Sequence, residues 1–353
     1  MSALRTVVAL LAGLLALPAC AQEDRPNNDD MMERPPVAVP REGYWADVLA
    51  HDPVLARQGD TWYAFVTGPG ITVYSSKNLE TWKAELQVFA EIPAWAYDIV
   101  PKFNGHIWAP DIARHDGTWY LYYSISSGGK NTSAIGVATN TTLDPSDPAF
   151  EWVDRGIVLR SVPQRDMWNA IDAQLVEDDD GTPWLAFGSF WGGLKLVKLR
   201  EDRLRPAEPQ VWHTLAKRAR SILVDDAEPE PGAIEAPFVF RRDGWYYLFV
   251  SYDHCCRGAK SDYRIMVGRS RTLTGPYLDR EGTRMDQGGA TEVLRGTARW
   301  PGPGHNSAYS FAGKDYLVFH AYDAQDGGLP KLKLLPMQWD AAGWPVVDPA
   351  PLR

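Results

Sequence analysis

Residues 109–126 read APDIARHDGTWYLYYSIS. A short apolar run ends in His-Asp-Gly, and an aromatic, β-branched run returns from it; this is the signature of a β-hairpin turning at Asp116 and Gly117. The layout recurs four more times, as HDPVLARQGDTWYAFVTG (51–68), AIDAQLVEDDDGTPWLAFGS (170–189), AIEAPFVFRRDGWYYLFVS (233–251) and GHNSAYSFAGKDYLVFHAY (304–322). The turn aromatics Trp62, Trp119, Trp184, Trp245 and Tyr316 follow one another at intervals of 57 to 71 residues. That period suits propeller blades with long connections.

Further strand signals lie between the hairpins, in IGVATN (135–140), LKLVKL (194–199) and RIMVGRS (264–270). No segment sustains a 3.6-residue apolar period; VWHTLAKRAR (211–220) comes nearest and is short. The expectation is an all-β chain, a five-bladed β-propeller forming a single domain over residues 41–353. Either GYWADVLAHDP (43–53) or PMQWDAAGWPVV (336–347) should supply the strand that closes the ring.

The 353 residues carry a formal net charge of −9 and no Lys/Arg-rich run, which excludes nucleic acid and an anionic membrane surface as partners. Fifteen Trp and 15 Tyr exceed what a core requires and suggest aromatic surface for a neutral ligand. The first residues, MSALRTVVALLAGLLALPACAQ, place Arg5 before an apolar run that is too short to span a bilayer and suits a secretory signal over 1–20. LPAC (17–20) resembles a bacterial lipobox, which would make a lipidated Cys20 the first mature residue; ordinary cleavage would leave Gln22. The protein is expected to be exported, periplasmic, secreted or held at the outer membrane by that lipid alone, and to be a monomer. Residues 21–40 are polar and Pro-rich and read as a tether. Only Cys255 and Cys256 remain beyond the signal. Adjacent cysteines bridge rarely, so two buried thiols are expected, with a vicinal disulfide or a specialised loop near a ligand as the alternative.

In a propeller the first strand of each blade lines the central channel, so the residues opening those strands converge near the axis. Here they are Asp52, Asp111, Asp172, Glu235 and His305. Carboxylates held close cannot all ionise, and a pair divided into an acid and a base suits hydrolysis of a glycosidic bond. Glu235, between apolar Ile234 and Ala236, is the candidate acid and Asp52 the candidate base; Asp172 would hold the acid's pKa and orientation. Asp111 is expected to be structural, at the rim. His305, in GPGHNSA, could help hold a hard cation with water and oxygen ligands. No HExxH-type spacing points to zinc.

HDP (51–53), WAPDI (108–112), NAIDA (169–173), GSFWGG (188–193), IEAP (234–237), SYDHCCRG (251–258) and GPGHNS (302–307) together resemble the ordered motifs of glycoside hydrolase family 43, and among its members the endo-1,5-α-L-arabinanases. The resemblance covers the chain from about Tyr44 onward. It implies a five-bladed propeller that cleaves internal α-1,5-L-arabinofuranosyl linkages of arabinan, a pectin side chain, with inversion. It also implies Asp52 as general base, Glu235 as general acid and Asp172 as pKa modulator, and one calcium ion near the axis with His305 as its protein ligand. The matching motifs nominate Trp108, Phe190 and Trp191 as aromatic contacts of the sugar, Asn169 and Ser189 as its hydrogen-bond partners, and Arg257 as part of its pocket. Two positions depart from the family pattern: Ala173, where Pro is usual, and His254, where an aromatic is expected. An exo-acting α-L-arabinofuranosidase or β-xylosidase is the alternative on the same fold, and a non-catalytic glycan-binding propeller a remote one.

Overall fold

The structure is a computed structural model that describes residues 43–101 and 103–352. The signal, lipobox and tether expected before residue 41 lie outside the described residues.

Five antiparallel sheets follow one another along the chain. The first blade comprises Val54–Gln58, Thr61–Val66, Thr72–Ser76 and Lys83–Ala84; the second His106–His115, Thr118–Ile125, Ser133–Asn140 and Val153–Ser161, with Gly68–Pro69 added beside its first strand. The third is built from Gln174–Glu177, Pro183–Phe187, Leu194–Lys198 and Trp212–Ala216, the fourth from Ile234–Arg242, Trp245–Tyr252, Arg264–Ser270 and Thr291–Arg295, and the fifth from Gly304–Phe311, Lys314–Asp323, Leu329–Trp339 and Pro345–Val347. The first strands touch in cyclic order, with the fifth returning to the first, so the sheets close a ring.

All five predicted hairpins form. His115 pairs with Thr118, Arg242 with Trp245 and Phe311 with Lys314 across two-residue turns. Both central residues of these turns have positive φ (Asp116 and Gly117, Asp243 and Gly244, Ala312 and Gly313), the type I′ geometry whose twist matches the flanking strands. The segment 211–220 forms a strand over Trp212–Ala216, and the α-helix of the described residues is the short Trp95–Ile99.

Of the two candidate segments, the N-terminal one closes the ring and the C-terminal one completes the fifth blade. The amide of Ala50 donates to Pro330 O (3.1 Å) and that of Leu332 to Val48 O (3.2 Å), while Pro345–Val347 pairs with the other end of the same strand, Met337 opposite Val347. Trp45 pairs with Trp82 of the first blade, so the N-terminal segment laces the fifth blade to the first.

The core is divided into five buried apolar clusters, each sandwiched between neighbouring blades. Strands such as Thr118–Ile125 (TWYLYYSI) are buried on both faces because each sheet packs on two others. The turn aromatics belong to this packing. The Trp119 indole donates to Gln58 Oε1 of the first blade at 3.1 Å, and Trp62 packs on Phe311 of the fifth with ring centroids 4.6 Å apart.

Candidate active site

Each first strand begins with a two-residue bulge, and the bulges refine the expected convergence. His51, Trp108, Ile171, Glu235 and Gly304 lie opposite Thr67, Ser124, Gly188, Ser251 and His320 of the second strands. The next residue in each blade, Asp52, Ala109, Asp172, Ala236 and His305, has φ between 44° and 58°. Asp52, Asp172 and His305 are therefore equivalent, but Glu235 stands one residue earlier and Asp111 two residues later, which corrects the reading of five equivalent side chains. The extra residue of a bulge re-aims its neighbours.

The bulges are clasped between blades. Ala109 N–H donates to Thr67 Oγ1 (2.7 Å), Asp172 N–H to Ser124 Oγ (3.1 Å), His305 N–H to Ser251 Oγ (2.8 Å) and Asp52 N–H to His320 Nδ1 (3.1 Å), always to the preceding blade's second strand. The third blade has Gly188 at that place and no side chain to offer. There Asp172 Oδ2 accepts the Ala236 amide instead, at 3.1 Å. The residue expected to modulate the acid is thus tied to the backbone beside the acid.

Asp52 is buried among imidazoles. His51 Nδ1 lies 2.8 Å from Oδ2, His305 Nδ1 3.0 Å from Oδ1, and the Thr67 hydroxyl donates to Oδ2 at 2.5 Å. Burial alone would raise this carboxyl; His305 and His51 override it and hold it well below the usual range, hence ionised. Burial opposes protonation of His305, but Asp52 and Asp172 carry its pKa up to about 9. Burial pushes His320 well down, so it stays neutral, with Nδ1 accepting the Asp52 amide.

Among the described residues no cation is bonded to Glu235. Ser189 Oγ donates to Oε2 (2.7 Å) and the Tyr263 hydroxyl to Oε1 (2.5 Å). The Tyr263 ring fills the space that a side chain at position 304 would occupy: a Cβ on Gly304 would fall 1.9 Å from Tyr263 Cδ1. Burial pushes the Asp172 carboxyl well above its usual range; His305 opposes the rise, and Glu235 and Asp52 add to it. Asp111 is buried rather than at a rim. Its Oδ2 accepts the Leu175 amide (2.9 Å), joining the second blade to the third, and burial pushes its pKa up to about 7.

A cavity of about 130 Å³ opens over Glu235, lined by Trp108, Asn169, Ser189, Phe190 and Trp191. Asn169 Oδ1 is buried without a protein hydrogen bond, which leaves it available to a ligand. Ser189, expected to hold the sugar, holds Glu235. Phe190 and Trp191 have φ of 55° and 39°, an unusual conformation for bulky residues that accompanies functional loops. Arg257 is exposed and lies outside this lining, because the chain turns away after Cys256. His254, Cys255 and Cys256 enter the lining instead, and Cys255 and Cys256 form a disulfide, in place of the expected pair of thiols. The segment 217–232 walls one side: Asp226 O accepts the Trp191 indole N–H (2.9 Å) and Glu230 Oε1 meets His254 Nε2 (2.5 Å). Neither His254 nor Glu230 carried a sequence signal for this contact, although His254 was visible as a departure.

Among the described residues, three metal-ligating atoms approach one another in His51, Asp52 and His320 and in His51, Cys255 and Cys256. Both sets are rich in nitrogen or sulfur and omit His305, so neither is a cage for calcium, which prefers oxygen. His305 has Nδ1 committed to Asp52, and no protein hydrogen bond reaches its Nε2 among the described residues. It fits a hard cation only as a single protein ligand completed by water.

The family model for glycosyl hydrolases family 43 matches residues 46–345. The chain is 56% identical to the extracellular exo-α-(1→5)-L-arabinofuranosidase ArbA of Cellvibrio japonicus, over 85% of this chain and 87% of that one. It is 40% identical to the extracellular endo-α-(1→5)-L-arabinanase 1 of Bacillus subtilis, over 87% and 91% of the two chains. Its structure superposes on that of a Cellvibrio cellulosa α-L-arabinanase complexed with arabinohexaose with a TM-score of 0.86, at 56% identity over 87% of this chain and 97% of that one.

Proposed function

The chain belongs to glycosyl hydrolases family 43, and from that membership we propose that it is an exported enzyme that hydrolyses α-1,5-L-arabinofuranosyl linkages of arabinan with inversion. The observation that carries this reading is the division of its carboxyl groups: Asp52 is held ionised by His305 and His51, while Glu235 lines the cavity with hydroxyl partners alone. Asp52 takes a proton from the attacking water, Glu235 gives one to the departing sugar oxygen, and Asp172, tied to the Ala236 amide, holds the acid in place. Trp108, Phe190 and Trp191 offer aromatic surface to the furanose rings, and Asn169 Oδ1 an acceptor. A calcium ion on His305, when bound, supplies positive charge near the carboxylates. His305 would hold it through Nε2, giving up the proton that its raised pKa otherwise keeps there.

Internal attack, the expectation from the motifs, is supported by the likeness to the Bacillus subtilis endo-arabinanase. Attack from a chain end is favoured by the segment 217–232, which walls the cavity through Asp226 and Glu230, and by the exo activity named for the Cellvibrio japonicus relative. A time course on linear 1,5-α-arabinan separates the two. Mixed oligosaccharides early in the reaction mean internal cleavage, and one short product from the start means chain-end cleavage. Proton NMR of the first product gives its anomeric configuration. Retention, or no product at all, would overturn the proposal.

A further inference from the structure

The general base is held by more than its neighbours. His51 Nδ1 faces Asp52 Oδ2 at 2.8 Å, and on the other side of the ring His51 Nε2 meets the Tyr322 hydroxyl at 2.8 Å. Tyr322 comes from the second strand of the fifth blade and is fully buried. Its oxygen also receives the amide N–H of Cys256, 2.7 Å away, presented by the loop that the Cys255–Cys256 disulfide closes at the cavity wall. The His51 ring plane is set by stacking on His320, with centroids 4.0 Å apart and 21° between planes.

This chain has one direction, set at its far end by the ionised Asp52, which can only accept, so that His51 Nδ1 donates to it and Nε2 is left to accept from Tyr322. An amide can only donate, so the Cys256 N–H occupies a lone pair of the Tyr322 oxygen. The hydroxyl proton of Tyr322 is then free to go to His51 Nε2, and the Cys256 sulfur, 3.7 Å from the same nitrogen, carries no proton in the disulfide. With Nε2 accepting, the ring proton of His51 sits on Nδ1 and is donated to Asp52. We propose that Tyr322 and His51 are positioning residues that orient the general base Asp52, and that the backbone of the Cys255–Cys256 loop sets the tautomer of His51 through Tyr322. The inference rests on the assignment of Asp52 as base under the proposed function. It adds a link from the cavity wall, which the substrate touches, to a carboxylate that does not itself line the cavity.

Two measurements test it. In kinetics on linear 1,5-α-arabinan, Tyr322→Phe should lower kcat by roughly 10- to 100-fold while KM stays within about twofold, as expected when a catalytic group is misaligned and substrate binding is spared. His51→Asn, whose amide nitrogen can stand where Nδ1 stood, should retain more activity than His51→Ala. An unchanged kcat in Tyr322→Phe, or a loss confined to KM, overturns the relay. The second measurement needs no substrate. In the ¹⁵N spectrum of histidine-labelled wild-type protein, with His51 assigned by its disappearance in His51→Asn, a protonated Nδ1 and a bare Nε2 are expected, giving way to mixed tautomers in Tyr322→Phe. A proton on Nε2 in the wild type overturns the relay. Wild-type protein inactive on arabinan would remove the functional reading alone, and the spectrum would then decide the relay by itself.

Discussion

The junction between the fifth and first blades and the junction between the third and fourth occupy equivalent places in the ring and carry opposite chemistry. At the first, Asp52 is surrounded by His51, His305 and His320, and the charge of His305 together with the His51 hydrogen bond outweighs burial. At the second, no cation is bonded to Asp172 or Glu235 among the described residues; backbone, Ser189 and Tyr263 satisfy them, and burial raises the Asp172 carboxyl against the pull of His305. One backbone device, a bulge clasped to the neighbouring blade, thus presents a carboxyl held low on one side of the axis and one pushed up on the other. The two aspartates are divided by the groups around them, since their side chains are chemically identical.

The largest effects should come from removing either pole. Asp52→Ala and Glu235→Ala are each expected to lower kcat on arabinan by roughly 10²- to 10⁴-fold while the thermal transition is retained. They should part on an aryl arabinofuranoside with a good leaving group, which needs no acid: Glu235→Ala recovers there and Asp52→Ala does not. Equal behaviour of the two variants would erase the distinction between the junctions.

A smaller loss is expected from Gly304→Ala, whose Cβ would collide with the Tyr263 ring. Overpacking of this kind costs about 1–3 kcal/mol, read as a lower midpoint in urea, and the displaced Tyr263 hydroxyl should take part of kcat with it. Tyr263→Phe removes the hydroxyl without the collision, so it should reproduce the kinetic loss and spare most of the stability. If it costs nothing in kcat, the hydroxyl has no part in holding Glu235.

Asp111 gives a junction with a buried carboxyl and no assigned chemistry. Its folded pKa of about 7 lies above the unfolded value, so the folded state binds the extra proton between about pH 4 and 7. Unfolding free energy should therefore fall as pH rises through that window, at most by about 1.4 kcal/mol per pH unit from this group. Asp111→Asn should flatten that slope in denaturant melts at pH 5 and 8 with kcat nearly unchanged. A slope unaltered by the substitution would mean that the Asp111 carboxyl is ionised in the fold.

The mildest perturbation is chelation followed by calcium. If His305 holds a calcium ion, EDTA should lower activity or the melting temperature and added calcium restore it, whereas His305→Ala should be insensitive to both. Wild-type protein that ignores the chelator at every concentration would leave His305 as a partner of Asp52 alone.

The hairpins were legible because turn chemistry and alternating burial are local: Asp116-Gly117 and Asp243-Gly244 announce their turns wherever the chain goes. The carboxylates were legible because each opens a repeat. Their register was less so, since the positive φ at Asp52, Asp172 and Ala236 follows from bulges that no side-chain pattern marks. Tyr263 and Tyr322 went unnoticed as site residues. Both read as strand or loop aromatics among many, and what singles them out is the reach of a hydroxyl to a residue in another part of the chain, Glu235 in one case and His51 in the other. The cysteine pair misled for a similar reason, because proximity in sequence says little about whether a loop is shaped to bridge.

Local order in the sequence was enough for the all-β class, the five blades, the hairpin positions and the set of acids near the axis, because each depends on residues within a few positions of one another. The opposite pKa shifts of Asp52 and Asp172, the wall contributed by 217–232, the closure of the ring by the N-terminal segment, and the line from the disulfide loop through Tyr322 and His51 to Asp52 required the folded ring. Charge, burial and hydrogen-bond direction act through space, and only packing five sheets about one axis brings residues 271 positions apart within reach of a single proton.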